Sequence, residues 1–280
     1  MVMTPPDWHQ RYTQQARWTQ PLREYSYEQV SLNSAMRVLD VGCGTGALEL
    51  ELLRLSQGNI FGLDIDPANL ALAITHAPGA FYVQADAHQL PLPAGAFDIV
   101  LCHFLLLWVS DPVQVVREMR RLARPGGAVL ALAEPDYAGR IDYPTEFALL
   151  GECQREALIR QGAQPDLGRR LGEVFSLAGL ESIETGILGG QWKQPPTREE
   201  WELEWQVFEN DLISSQQPEP VIARNEHRDD AVASRIRNVP DLKTELARLK
   251  QQDWSAWQHR ARILFVPTLY GWGFKLLNYQ

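Results

Sequence analysis

Cysteine is scarce in this 280-residue chain. Cys43, Cys102 and Cys153 are odd in number, widely separated and form no C-x-x-C pair, which argues against a disulfide framework and for reduced thiols in a cytoplasmic protein. Basic charge is also short: 26 Lys and Arg stand against 35 Asp and Glu, a net −9. That balance argues against a dedicated binder of nucleic acid or of anionic membrane. The six histidines (His9, His76, His88, His103, His227 and His259) have no clustered or H-x-x-x-H spacing, so no metal site is expected. The longest apolar run, Ile99 to Val109, is 11 residues and contains His103. A membrane helix needs about 20 such residues, so the run reads as a buried strand and the segment after it. Met1 to Trp8 carries neither a basic n-region nor an apolar h-region, and no signal peptide is expected.

What is present is ordinary globular material with one skew. Six of the nine tryptophans (Trp192, Trp201, Trp205, Trp254, Trp257 and Trp272) lie in the last third. Between residues 36 and 135, strand and helix signals alternate, the pattern of a parallel sheet covered on both faces. The strands are read at 36–41, 59–65, 80–85, 97–102 and 128–133. Helices are read at 47–55, from Asp66-Pro67, and from Asp111-Pro112 to about Arg124; each Asp-Pro supplies an N-cap and a proline at the first helical position. Pro125-Gly126-Gly127 is read as a break before the fifth strand. Beyond it come helices at 145–161 and 167–178 and a strand at 180–188. A helix opens at the Thr197/Glu200 capping box, another runs over 242–257, and a final strand spans 262–269.

The central feature is Val38-Leu39-Asp40-Val41-Gly42-Cys43-Gly44-Thr45-Gly46, placed where a strand feeds a helix. Glycines let the backbone turn tightly and approach a ligand, and the following helix N-terminus offers free N–H groups. Asp64 ends the second strand at the height of ribose hydroxyls, and Asp86-Ala87 follow the third at the same edge. Taken alone, Gly42-x-Gly44-x-x-Ala47 with Asp64 22 residues past Gly42 also satisfies a nicotinamide-dinucleotide fingerprint.

The ordered series resembles the class I S-adenosylmethionine-dependent methyltransferases, particularly the small-molecule group that includes ubiquinone and menaquinone biosynthesis enzymes. The resemblance covers residues 36–135. It rests on Leu39 to Gly46, Gly62-Leu63-Asp64-Ile65, Asp86-Ala87, Leu90-Pro91-Leu92-Pro93, Phe97-Asp98-Ile99-Val100 and Leu122-Ala123-Arg124-Pro125-Gly126-Gly127. It implies a doubly wound, Rossmann-like α/β sheet of seven strands with the last antiparallel. It also implies S-adenosyl-L-methionine as cofactor: Asp40, Gly42, Cys43, Gly44 and Gly46 would hold the methionine moiety, Asp64 the ribose, Ile65 the adenine face, and Asp86 with Ala87 the adenine edge. His103 would face the sulfonium and the substrate. An NAD(P)-dependent oxidoreductase and a catalytically silent cofactor-binding regulator stay as alternatives.

Methyl transfer from a sulfonium is an in-line displacement, so the protein contributes mainly alignment and a dry pocket. A base is needed only for an acceptor protonated at the reacting atom, and His103 is the candidate, or else an imidazole packed beside the cofactor without proton transfer. Glu134, Asp136 and Tyr137 follow the fifth strand, to contact the acceptor or merely to shape the turn around Pro135. Residues 1–35 read as an N-terminal helical cover, in which Arg23 would hold the cofactor's carboxylate or lie on a solvated surface. Residues 36–280 read as the methyltransferase domain, with a helical lid inserted at about 191–260. Its pairs Trp201/Trp205 and Trp254/Trp257 share helix faces, to wall an apolar or aromatic substrate pocket or to glue the lid to the core or to a second subunit in a homodimer. The expected partner is a small-molecule acceptor.

Overall fold

The computed structural model describes residues 5–57, 59–189, 195–215 and 242–277. The described residues divide into two compact units: those within 4–135, 167–189 and 268–280 form the first, and those within 136–166 and 190–267 the second.

The first unit is built on a seven-stranded sheet. Its parallel strands are β1 (Val38–Val41), β2 (Ile60–Asp64), β3 (Phe81–Gln84), β4 (Phe97–Cys102) and β5 (Ala123–Pro135). Helices α1 (Pro5–Trp18) and α2 (Gln20–Gln29) precede them; α3 (Glu49–Ser56), α4 (Pro67–His76) and α5 (Pro112–Leu122) connect them. Both Asp-Pro starts cap as expected: the Asp66 side chain accepts from Ala68 N–H and that of Asp111 from Gln114 N–H. Side chains alternate across the sheet with the strand's period of two. Val38, Ile99, Leu101, Ala128, Leu130 and Leu132 meet Leu22, Tyr27, Leu48 and Leu52 on one face. Leu39, Val100, Cys102, Val129 and Ala131 meet Val115, Met119, Val174 and Phe175 on the other. Burial on both faces explains why β4 and β5 carry continuous apolar runs at Ile99–Cys102 and Ala128–Ala133.

Three sequence expectations are corrected here. Pro125-Gly126-Gly127 does not precede the fifth strand but lies within it, as an irregularity between the Phe97–Ala123 and Ile99–Ala128 pairs. Gly126 N–H donates to Lys275 O, and Lys275 N–H to Gly127 O, so the interrupted stretch is stapled to the chain's end. Second, the run at 262–269 splits. Ile263–Phe265 (β8) pairs antiparallel with Ile141–Tyr143 (β6) in the second unit, whereas Thr268–Phe274 (β9) enters the large sheet. Pro267, which has no N–H to donate to a ladder, stands between them and accepts Asp136 N–H instead. Third, the inserted unit is larger than 191–260, because residues 136–166 belong to it.

In the large sheet the order is β3-β2-β1-β4-β5-β9-β7, where β7 is Glu181–Ile187 after helix α7 (Leu171–Leu177), and β9 runs antiparallel to both neighbours. Trp272 of β9 belongs to the sheet's own core.

The second unit contains β6, β8 and helices α6 (Ala148–Arg160), α8 (Arg198–Ser215) and α9 (Leu242–Gln258). The capping box forms: Thr197 N–H donates to Glu200 Oε2, and Glu200 N–H to Thr197 Oγ1. Trp201, Trp205 and Phe208 of α8 pack on Phe147, Leu150 and Cys153 of the α6 segment and on Leu249 of α9. Both indole N–H groups donate to Asp253 Oδ2, at 2.6 and 3.0 Å, while Arg262 Nε donates to Asp253 Oδ1 at 2.6 Å and Arg262 Nη2 to Asp142 Oδ1 at 2.6 Å. Trp192 lies outside the described residues. No described helix is long and apolar enough to cross a membrane.

A buried ion pair that loses one partner strands the other's charge, at a cost of about 3–5 kcal/mol. Asp253→Ala, which also orphans two indole donors, is therefore expected to lower stability by about that much in urea unfolding followed by tryptophan fluorescence. A loss under about 1 kcal/mol would show that this network does not hold the unit together.

Candidate functional site

Strand β1 ends at Val41, and the chain turns through Gly42, Gly44 and Gly46, all at positive φ (76°, 54° and 81°). At Gly46 the demand is also steric, since a Cβ would lie 3.0 Å from the Cα of Ala73 in α4. The turn is fastened to β2 by backbone N–H groups: Gly42 and Cys43 donate to Leu63 O at 2.7 and 2.9 Å. Gly44 N–H donates to Asp64 Oδ2 at 2.9 Å, and Asp66 N–H to Asp64 Oδ1 at 2.9 Å. Asn69 Nδ2 also donates to Oδ1, at 3.3 Å, so Oδ1 has both lone pairs taken and Oδ2 has one left for a further donor.

Beside Asp64, Ile65 leaves 65% of its surface exposed, an aliphatic platform at the sheet's carboxyl edge. Asp64 pairs with Gln84 across β2 and β3, so Asp86 lies just beyond the same edge. Its Oδ1 accepts both the N–H and the Nδ1–H of His88, at 2.9 and 2.7 Å, and these bonds hold its pKa below the usual carboxylate value. Ala87 is buried beneath. The sheet thus brings Asp64, Ile65, Asp86, Ala87 and the glycine turn to one edge.

The carboxylate of Asp40 points to the opposite face from Leu39 and Val41 and is fully buried with Glu49 at the start of α3. Among the described residues no donor reaches Asp40 Oδ1 or either oxygen of Glu49. Burial raises the pKa of both, Glu49 to about 7 and Asp40 well above its ordinary value, and the Glu49 charge pushes Asp40 further up.

Helix α1 covers the turn. A Cβ on Gly44 would lie 3.4 Å from the Tyr12 ring, and His9 bonds Thr45 Oγ1 at 2.8 Å and stacks on His76 with ring centroids 3.5 Å apart. Sequence reasoning did not single out Tyr12, His9, His88 or Glu49. Only Glu49 carried a signal, a carboxylate on the helix face it shares with the buried Leu52. Tyr12 and His9 reach the turn across 30 or more intervening residues, whereas His88 holds Asp86 from two positions away.

Arg23 and Glu134 are placed otherwise than expected. Arg23 is 2% exposed. Its Nε and Nη2 bind Glu51 at 3.0 and 2.5 Å, and its Nη1 donates to Ala16 O at 2.5 Å and Thr19 Oγ1 at 2.8 Å. Four of its five N–H donors are therefore spent inside the fold, and the guanidinium is turned to α3 rather than to a ligand's carboxylate. Glu134 is fully buried at the end of β5 and accepts the N–H groups of Leu105, Leu106 and Leu107 at 3.1, 3.0 and 3.2 Å. It shapes the loop after β4 and presents no free face to an acceptor. Asp136 and Tyr137 lie in the second unit, where Tyr137 N–H donates to Pro165 O. Trp201 and Trp205 are each 4% exposed within that unit's own core, so the pair neither walls a pocket nor offers a docking face.

His103 follows β4 directly. Because Val41 pairs with Cys102, it stands at the same edge as Gly42. It is half-buried, bonds Thr19 Oγ1 through Nε2 at 2.8 Å and meets the edge of Phe104. Burial, and then the nearby Arg23 charge, hold its pKa well below 6.5.

A model of the methyltransferase domain family matches residues 39–131. An uncharacterised methyltransferase of Schizosaccharomyces pombe is 29% identical over 167 residues, covering 55% of this chain and 60% of that protein. A ubiquinone biosynthesis O-methyltransferase of Pseudomonas aeruginosa is 36% identical over 115 residues, covering 39% of this chain and 49% of that one. The chain thus spans about half to three-fifths of the length of these relatives. Among solved structures, the [4+2]-cyclase SpnF superposes with a TM-score of 0.54 at 23% identity, covering 94% of this chain and 81% of that one. That likeness establishes a shared fold, and a cyclase on the same fold shows that the fold alone does not name a reaction.

A carboxyl group whose folded pKa is raised binds its proton more tightly in the folded state. Its stabilisation is present below the unfolded value and is lost as pH rises through the folded one. Glu134, moved from 4.5 to about 7 by burial, is expected to cost the protein about 3 kcal/mol of stability between pH 4.5 and 7. Urea unfolding of Glu134→Gln should show a shallower decline than wild type over that window; parallel pH curves would refute the assignment.

Proposed function

We propose that this chain, whose residues 39–131 form a class I S-adenosylmethionine-dependent methyltransferase domain, transfers a methyl group to a small-molecule acceptor. The observation that carries the reading is the single edge on which a glycine turn, an exposed Ile65 and the carboxylates of Asp64 and Asp86 are brought together. These residues suit S-adenosyl-L-methionine. Asp64 can accept a ribose hydroxyl on the Oδ2 lone pair that Gly44 N–H leaves open, and Ile65 offers the adenine an aliphatic face. Asp86 can take the adenine amine on Oδ2, its Oδ1 being held by His88. The unpartnered Asp40 and Glu49 oxygens behind the turn are acceptors for an ammonium group, which lies at the methionine end of the donor.

When bound, the sulfonium supplies an activated methyl group. The chain's own contribution is to orient and to exclude water. Tyr12 and His9 close α1 over the turn, and His103, neutral at pH 7, offers a lone pair to an acceptor that must lose a proton. The antiparallel β9 beyond β5 also stands where the usual dinucleotide-binding order 3-2-1-4-5-6 continues its mostly parallel sheet, against the oxidoreductase alternative. Matched relatives include ubiquinone biosynthesis O-methyltransferases and ubiquinone/menaquinone biosynthesis C-methyltransferases, which supports a small-molecule acceptor.

Calorimetric titration tests this directly. S-adenosylmethionine and its demethylated product are expected to bind the wild-type chain, and Asp64→Ala to weaken both at least 10-fold, as loss of charge-assisted bonds worth about 1.5–3 kcal/mol requires. NAD binding with no response to either sulfur compound would overturn the proposal.

A further inference from the structure

Thr19, the residue between α1 and α2, holds three polar neighbours on one hydroxyl: Arg23 Nη1 at 2.8 Å, Gln15 O at 2.9 Å and His103 Nε2 at 2.8 Å. A hydroxyl has one proton to give and two lone pairs to receive. A guanidinium can only donate and a carbonyl can only accept. Thr19 therefore gives its proton to Gln15 O and takes one from Arg23. The second carbonyl near it, Ala16 O at 3.4 Å, competes for the same proton and changes nothing. One lone pair is left, and it faces Nε2. A bare Nε2 would set two lone pairs against each other at 2.8 Å, so this nitrogen carries the hydrogen.

Arg23 cannot relax the arrangement by turning away. Its Nε and Nη2 are clamped on Glu51, and the second Nη1 hydrogen is taken by Ala16 O. The lone pair of the ring is then on Nδ1, which has no hydrogen-bond partner among the described residues.

We propose that Thr19 is a positioning residue that holds His103 as the Nε2–H tautomer, leaving Nδ1 as the nitrogen that receives the acceptor's proton. This rests on the methyl-transfer reading and deepens it. It assigns the acceptor to a class that loses a proton from oxygen as it is methylated, because an uncharged imidazole beside a fixed guanidinium is a weak base suited to an acidic hydroxyl. His103 stands one residue past the strand position paired with Val41, so the residue stands at the edge where the donor's residues converge. Burial and the Arg23 charge keep the ring neutral, which leaves that lone pair free at pH 7.

The test is a nitrogen-15 spectrum of the histidine side chains in the full chain at pH 7, with the His103 signal identified by its loss in His103→Gln. Wild type is expected to show hydrogen on Nε2 and a bare Nδ1. Thr19→Ser, which keeps the hydroxyl, should retain that pattern, and Thr19→Val should replace it by exchange between both tautomers. A wild-type ring protonated on Nδ1 overturns the proposal, as does a pattern unchanged in a folded Thr19→Val. The wild-type spectrum decides the tautomer even where Thr19→Val does not fold. No methyl donor is present in the measurement, so its failure is distinct from a failure of the donor titration.

Discussion

Four backbone N–H groups hold the site together: those of Gly42 and Cys43 on Leu63 O, that of Gly44 on Asp64 Oδ2, and that of Asp66 on Asp64 Oδ1. Through them the turn after β1 and the end of β2 become one rigid edge. Asp64 is pre-oriented by the bonds that fix the turn, so a ligand meets a carboxylate whose rotamer is already chosen, and little conformational entropy remains to be lost on binding. The helix start, the exposed Ile65 and the route to α4 all depend on this edge.

Around it the interior holds several ionisable groups, each satisfied differently. Arg23 is neutralised by the fork of Glu51, and its remaining donors reach a carbonyl and a threonine. Glu134 is satisfied by three backbone donors and ties the loop after β4 to the end of β5. Asp40 Oδ1 and both oxygens of Glu49 have no hydrogen-bond partner among the described residues. An unpaired buried polar group is costly, and such cost persists where function compensates it. The contrast separates the carboxylates that stabilise the fold from those left open beside the glycine turn.

The second unit has its own logic. Asp253 collects two indole donors and a guanidinium, and Asp142 takes both Arg140 and Arg262. The late tryptophans that stand out in the composition are thereby divided: Trp201 and Trp205 make this core, and Trp272 belongs to the sheet. Their i, i+4 spacing made a shared face legible, but a face by itself does not say whether it meets a ligand, another subunit or its own unit.

The order of the first five strands, the Asp-Pro caps, the capping box at Thr197 and the glycine turn with Asp64 were all readable from the chain. Each depends on neighbours within a few residues, on a period of two or 3.6, or on a backbone angle that only glycine adopts readily. Contacts between residues far apart were not readable. No local rule joins Tyr143 to Ile263, Trp201 to Asp253, or Arg23 to Glu51. Nor could a pattern show that Glu134 faces inward to three amides while Ile65 faces outward. The residue types capable of the chemistry were therefore set by the sequence, because those requirements are local. Which of them are free to meet a ligand, and which are spent holding the fold, was decided only by the tertiary packing that brings distant partners within hydrogen-bond reach.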